Sequence, residues 1–267
     1  MKVIPTKKNY DGFIEEFVSK LGKRHPDTCF YAYGSYIDGR CDYGRSDIDG
    51  GLIFNSGFVM PKEEVLDIAD FLASALGKNR VKTQFNLLDR GTCREGRFLS
   101  YTSDYTAWIQ KVGKVLSGPN YLGEMNGLDF KSGTLHNAAF NLRKARNNLL
   151  YSFDTINTNP DRFRERTEKV LETLAKFPKF LIWLRDGEVI VPRIKGRDAL
   201  KQMLGDIDLS FMEELEVLLR RPDQFYSEIE DTDRALRLIV KGVGVMEQIV
   251  QSYVSRFKEP SSRELKR

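Results

Sequence analysis

Gly34-Ser35 and Asp47-Ile48-Asp49, separated by eleven mostly polar residues, are the parts of this sequence whose types and spacing suit chemistry. Each adjoins an apolar run, in YAYGSYIDGRCDYGRSDIDGGLIF from Tyr31 to Phe54. In a β-strand successive side chains point to opposite faces, so Asp47 and Asp49 share one face and Ile48 turns into the core. Two carboxylates on one face repel each other and stay ionised at neutral pH only with positive charge between them. A hard divalent cation with oxygen ligands fills that role, Mg²⁺ first and Mn²⁺ as the alternative. Gly34-Ser35 closes a strand over Cys29–Tyr33 and is expected to open a helix. Glycine lets the backbone approach an anion, the Ser35 hydroxyl and the following N–H groups donate to it, and a helix N-terminus favours negative charge. A phosphate fits there, and a metal on Asp47 and Asp49 bridging to it would give the layout of a phosphoryl or nucleotidyl transfer site.

The elements that must hold these residues are read from periodicity. Tyr10, Phe13, Ile14, Phe17, Val18 and Leu21 recur at helical spacing over Asn9–Lys23, with Gly22 and Pro26 as stop signals. Asp47–Phe54 is the second strand, with Gly50-Gly51 leaving the backbone bare beside the carboxylates. Pro61 to Gly77 reads as a second amphipathic helix. Val81–Leu88 alternates as a third strand, with Phe85 and Leu87 on one face and Gln84 and Asn86 on the other. Arg90–Arg97 reads as a solvated basic loop, Tyr105–Val112 as a short helix and Gly113–Gly118 as an edge strand.

Gly34-Ser35, the eleven-residue gap and Asp47-Ile48-Asp49 between two strand-like runs resemble the signature of the DNA polymerase β-type nucleotidyltransferase superfamily. Ser46, just before the acidic pair, is similar to a feature of its small-molecule adenylyltransferases. The resemblance implies an α/β (α+β) nucleotidyltransferase domain with a small mixed sheet, Asp47 and Asp49 as catalytic metal ligands, and Gly34, Ser35 and Ser46 at the nucleotide. It also implies a third acid on the Val81–Leu88 strand, where this sequence carries the amides Gln84 and Asn86. The third metal ligand is therefore open between Asn86 and Asp89, whose parity with Phe85 and Leu87 puts it on the core face of a regular strand. The difference matters because an amide cannot take a proton from an incoming hydroxyl.

Beyond about Asp129 glycine thins out and helical periodicity takes over. Leu135, Ala138, Ala139, Leu142, Ala145, Leu149, Leu150, Phe153 and Ile156 form one stripe, with Ser132 as N-cap. Arg164–Leu184 forms another, broken at Pro178, and Asp233–Phe257 a third. We expect two domains, residues 1–129 and an all-α helical bundle over 130–267, with the active site in the cleft between them. Arg185–Leu200 holds a turn at Asp186-Gly187, an extended piece over Val189–Val191, and Lys195 ahead of a helix. It resembles the stretch in aminoglycoside-type adenylyltransferases where a lysine of the helical domain reaches the nucleotide phosphates, which makes Lys195 a catalytic and nucleotide-binding candidate.

Composition bounds the rest. At 267 residues, with 41% hydrophobic and 30% charged residues, the chain is ordinary for a soluble globular protein, and its net charge of +4 gives little support for obligatory nucleic-acid binding. Three widely spaced cysteines and two histidines argue against a disulfide framework or a zinc site. With no span-length apolar run and no apolar core near the N-terminus, the expectation is a cytoplasmic protein with no membrane partner. The expected reaction moves a nucleoside monophosphate from an NTP, ATP first, to a hydroxyl of a small-molecule acceptor with release of pyrophosphate. The alternatives are an RNA or protein acceptor, or a nucleotide-binding regulatory protein of the same fold with little turnover.

Overall fold

A computed structural model describes residues 4–257 apart from 45, 100, 128, 188, 190–192 and 206, and of residues 193–195 it describes the backbone alone. The chain divides into two compact units, Met1–Phe130 and Lys131–Arg267. No helix among the described residues is long and apolar enough to cross a membrane.

The first unit is built on four strands, β1 (Cys29–Tyr33), β2 (Ile48–Phe54), β3 (Thr83–Asp89) and β4 (Lys114–Ser117), in the order β3-β2-β1-β4. β1 runs antiparallel to β2 and to β4, whereas β2 and β3 are parallel. A parallel pair needs a crossover, and α2 (Lys62–Asn79) supplies it, lying with α1 (Lys7–Arg24) on one face of the sheet. That face is a cluster of rings: Phe17 meets Phe30 edge-on at 5.0 Å, and Phe30 meets Phe85 at 5.1 Å. Truncating one such ring to alanine costs about 3–5 kcal/mol. On the other face, α3 (Arg90–Glu95), α4 (Ser103–Val112) and a 3-10 turn at Leu122–Glu124 cover Cys29, Tyr31, Tyr33, Ile53 and Leu88. With both faces covered, all five residues of β1 are buried.

Several boundaries differ from the periodicity reading. Gly22 and Gly77 do not stop their helices, which run on to Arg24 and Asn79. Arg80, left-handed at φ 58°, closes α2 instead. The stretch expected as a basic loop forms α3, because Asp89 caps its start and Arg90 and Arg94 are both ion-paired to Glu124.

The second unit is helical throughout its described elements: α5 (Phe130–Thr158), α6 (Pro160–Lys176), α7 (Pro178–Asp186), α8 (Arg193–Leu204), α9 (Ser210–Leu219), α10 (Pro222–Glu230) and α11 (Thr232–Arg256). Pro178 breaks the second apolar stripe as expected, since it opens α7 and cannot continue α6. α6 packs on α11 at Gly242, where an added Cβ would lie 3.4–3.7 Å from Leu171, Val170 and Leu174. α5 departs from its expected stripe. Ser132 lies inside the helix, and Leu150 and Phe153 are exposed. Thr134, Ala138, Leu142, Ala145, Ser152 and Thr155 are the buried side. Ser152 and Thr155 tolerate burial because their hydroxyls donate to the carbonyls of Asn148 and Tyr151, at 2.6 and 3.0 Å. Of the extended piece expected at Val189–Val191, only Val189 lies among the described residues.

Candidate active site

The antiparallel register of β1 and β2 brings the two chemical stretches together, because Tyr33 pairs with Asp49 and Gly34 follows Tyr33 directly. Gly34 is left-handed at φ +79°, and a Cβ built there would stand 2.7 Å from Asp49 Oδ2. Only glycine lets the chain turn at this point while a carboxylate lies against its backbone. The residues after Gly34 make a single turn, not the expected helix. The Asp38 N–H donates to the Gly34 carbonyl at 3.0 Å and the Arg40 N–H to the Ser35 carbonyl at 2.8 Å, and Gly39 at φ +70° reverses the chain.

Asp47 immediately precedes β2, and the Ile48 N–H donates to the Lys82 carbonyl at 2.9 Å, which extends the β2–β3 ladder to its doorstep. Ile48 is fully buried against α1 and α2, whereas Asp47 and Asp49 are each partly exposed. Among the described residues, no hydrogen bond or ion pair engages the Asp47 carboxylate or the Ser35 hydroxyl. The Ser46 hydroxyl is already in use, accepting from the Asp42 N–H at 3.0 Å.

Beside Asp49, β3 presents Gln84, its register partner, and Asn86 stands two positions on, opposite Gly51. Gln84 is exposed. The Asn86 side chain acts on the Tyr33 and Tyr101 phenols, countering part of the rise in their pKa values. These phenols belong to a set over the same sheet face: Tyr105 donates to the Tyr33 hydroxyl at 3.1 Å, and the Tyr31 and Tyr101 hydroxyls are 3.2 Å apart. Burial pushes all four phenols above their ordinary range, and the Asp49 charge adds to the rise at Tyr33 and Tyr105. Asp89 lies at the other end of β3, paired with Phe54. Its carboxylate caps α3, accepting from the Thr92 N–H at 2.6 Å and the Thr92 hydroxyl at 2.8 Å. β3 thus keeps its regular register, and its single carboxylate is committed to a helix start. Lys195 lies within α8, in the second unit, rather than ahead of a helix, and its side chain is outside the described residues.

Among the described residues, no group of three or more His, Cys, Asp or Glu converges as a metal cluster. Two partly exposed carboxylates beside a serine turn do suit Mg²⁺, which takes one or two carboxylates and fills its octahedron with water and phosphate oxygens. Reasoning from sequence missed the hydroxyl of Tyr10. Read only as a core residue of α1, it donates to the Ser46 carbonyl at 2.7 Å and accepts from the Gly44 N–H at 3.1 Å, next to Asp47. Burial raises its pKa, and Asp47 is among the charges that raise it further. The only signal for this in the sequence was a tyrosine, rather than phenylalanine, at the start of an apolar stripe.

No protein-family model matches this sequence, and no curated protein does. A solved structure described as "Crystal structure of the toxin-antitoxin with AMP-PNP" is similar over 40% of this chain and 74% of that chain, at 22% identity and a TM-score of 0.27, too distant a likeness to speak for fold or activity.

Proposed function

We propose that this chain is a metal-dependent nucleotidyltransferase that moves a nucleoside monophosphate, AMP from ATP, to an acceptor hydroxyl and releases pyrophosphate. The observation that supports it most is the Asp49 carboxylate lying against Gly34, with Asp47 at the preceding same-face position and Ser35 next in the turn. In this reading Asp47 and Asp49 hold Mg²⁺. The bound ion neutralises phosphate charge and orients the phosphates for in-line attack. The Ser35 hydroxyl and the backbone at Gly34 bind terminal phosphate oxygens, while Ser46 acts through the loop it ties rather than through its own hydroxyl. Lys195 as a phosphate contact rests on the resemblance alone. The nucleotidyltransferase domain is residues 1–129, the helical bundle residues 130–267, and the acceptor is a small molecule.

A second reading has its own support. The amides Gln84 and Asn86 stand on the strand where the superfamily carries its third acid, so no carboxylate on that face of β3 takes the acceptor's proton. A nucleotide-binding protein with little turnover fits that arrangement. Calorimetry with ATP and Mg²⁺ beside a pyrophosphate-release assay separates the two: binding with release supports the enzyme, binding without release the regulatory protein. Asp47→Ala and Asp49→Ala should each abolish release and metal-dependent binding while the protein stays folded. Most of the activity surviving in either variant would overturn the metal-ligand roles.

A further inference from the structure

The first turn of α1 carries a phenol that the proposed chemistry does not use. Tyr10 is 1% exposed, with its ring stacked on Tyr36 at 6.1 Å and edge-on to Tyr43 at 5.2 Å. Its hydroxyl reaches out of this aromatic cluster to a segment more than thirty residues further along the chain. There it donates to the Ser46 carbonyl at 2.7 Å and accepts from the Gly44 N–H at 3.1 Å. A buried hydroxyl is costly to leave unpaired, so both bonds draw the segment onto α1.

The rest of the segment is built to accept this tie. The Ser46 N–H donates to the Asp42 carbonyl at 2.8 Å, and the Ser46 hydroxyl accepts from the Asp42 N–H at 3.0 Å, which closes a tight turn. Gly44 is left-handed at φ +93°, and a Cβ there would collide with the Ile4 side chain. The Ser46 carbonyl belongs to the same rigid peptide unit as the Asp47 N–H. The next peptide is held from the other side, through the Ile48 N–H on the Lys82 carbonyl. Asp47 therefore sits between two anchored peptide planes, one anchored by a single phenol.

We propose that Tyr10 is a positioning residue for Asp47, its hydroxyl locking the Ser46–Asp47 peptide so that the Asp47 carboxylate stays on the face it shares with Asp49. The role rests on the reading of Asp47 as a metal ligand. Tyr10→Phe keeps the ring and removes the hydroxyl. Tyr36→Phe is the comparison, because its hydroxyl belongs to the same cluster but donates to Asp11 on α1, at 3.0 Å.

Two readouts on the full chain test the proposal: amide hydrogen exchange at Gly44 and Ser46, and Mn²⁺ affinity by calorimetry without nucleotide. Tyr10→Phe should speed exchange at both amides and weaken Mn²⁺ binding by about tenfold, the factor expected for one lost hydrogen bond, and Tyr36→Phe should change neither. Unchanged exchange overturns the proposal whatever the metal affinity does. Faster exchange with unchanged Mn²⁺ affinity overturns it too, as does faster exchange spread evenly through β1 and β2, which marks a purely structural role. If the unmodified protein binds no Mn²⁺ while Tyr10→Phe still frees Gly44 and Ser46, the metal reading of Asp47 fails and the anchoring of its peptide stands.

Discussion

At Gly34 the absence of one methyl group decides whether the two chemical stretches can meet. A Cβ there would be 2.7 Å from Asp49 Oδ2, and the backbone sits at φ +79°. Gly34→Ala should therefore act twice. The left-handed conformation costs a side-chain-bearing residue roughly 1–2 kcal/mol. The displaced Asp49 carboxylate should lose divalent-cation binding well beyond what that stability loss explains. Thermal unfolding beside Mn²⁺ calorimetry checks this: a destabilised variant with undiminished Mn²⁺ affinity would show that Asp49 need not lie against the turn. The pairing of Gly34 with Asp49 could be suspected from their types, but the contact itself follows from the register of β1 on β2, which no local pattern reveals.

At the scale of elements, β3 is the instructive case. Its alternation from Val81 to Asn86 is regular in the sequence, and the structure keeps that register along β2. A slip by one residue would carry Phe85 off the ring cluster and Leu88 out of the opposite core. Asp89 is consequently a helix cap. Asp89→Ala should cost about 1 kcal/mol of stability, the usual loss for a missing N-cap, with no loss of pyrophosphate release. Asp89→Asn should be nearly silent, since asparagine caps as well. A large drop in release with unchanged stability would return Asp89 to the catalytic face. That α3 would form at all was not legible from Arg90–Arg97, because three arginines in eight residues look solvated until Glu124 is seen to bind two of them.

For the molecule as a whole, that same Glu124 couples stability to pH. Arg90 meets it through two hydrogen bonds of 2.6 and 2.7 Å and Arg94 through two more at 2.8 and 3.3 Å, while the Arg90 guanidinium lies 4.3 Å from the Tyr121 ring centroid. The hydrogen bond from Arg90, ahead of that from Arg94 and their charges, holds the Glu124 carboxyl down at about 2. A carboxyl whose folded pKa is depressed stabilises the fold above its unfolded value and loses that contribution as pH falls through the folded one. The stability difference between the wild type and Glu124→Gln should therefore be constant at neutral pH and shrink as pH falls from about 4.3 toward 2. Its size is limited by solvent, since Arg94 is more than half exposed. Urea titrations across that range provide the check, and a gap that stays constant to the acid limit would remove Glu124 from the account.

The sequence by itself determined the strands, the long helices and the parity that sets Asp47 and Asp49 opposite Ile48, because periods of 2 and 3.6 residues are local properties of a chain that must bury one face. It missed α9 and α10, short helices whose clearest marks were Pro222 at the start of α10 and Asp231 after its end. Only the tertiary structure decided the strand order, the contact of Asp49 with Gly34, the phenols around Asn86 and the reach of Tyr10 to Ser46. Those contacts join residues far apart in sequence. Their partners are chosen by which surfaces the fold brings together, and no spacing within either segment encodes that choice.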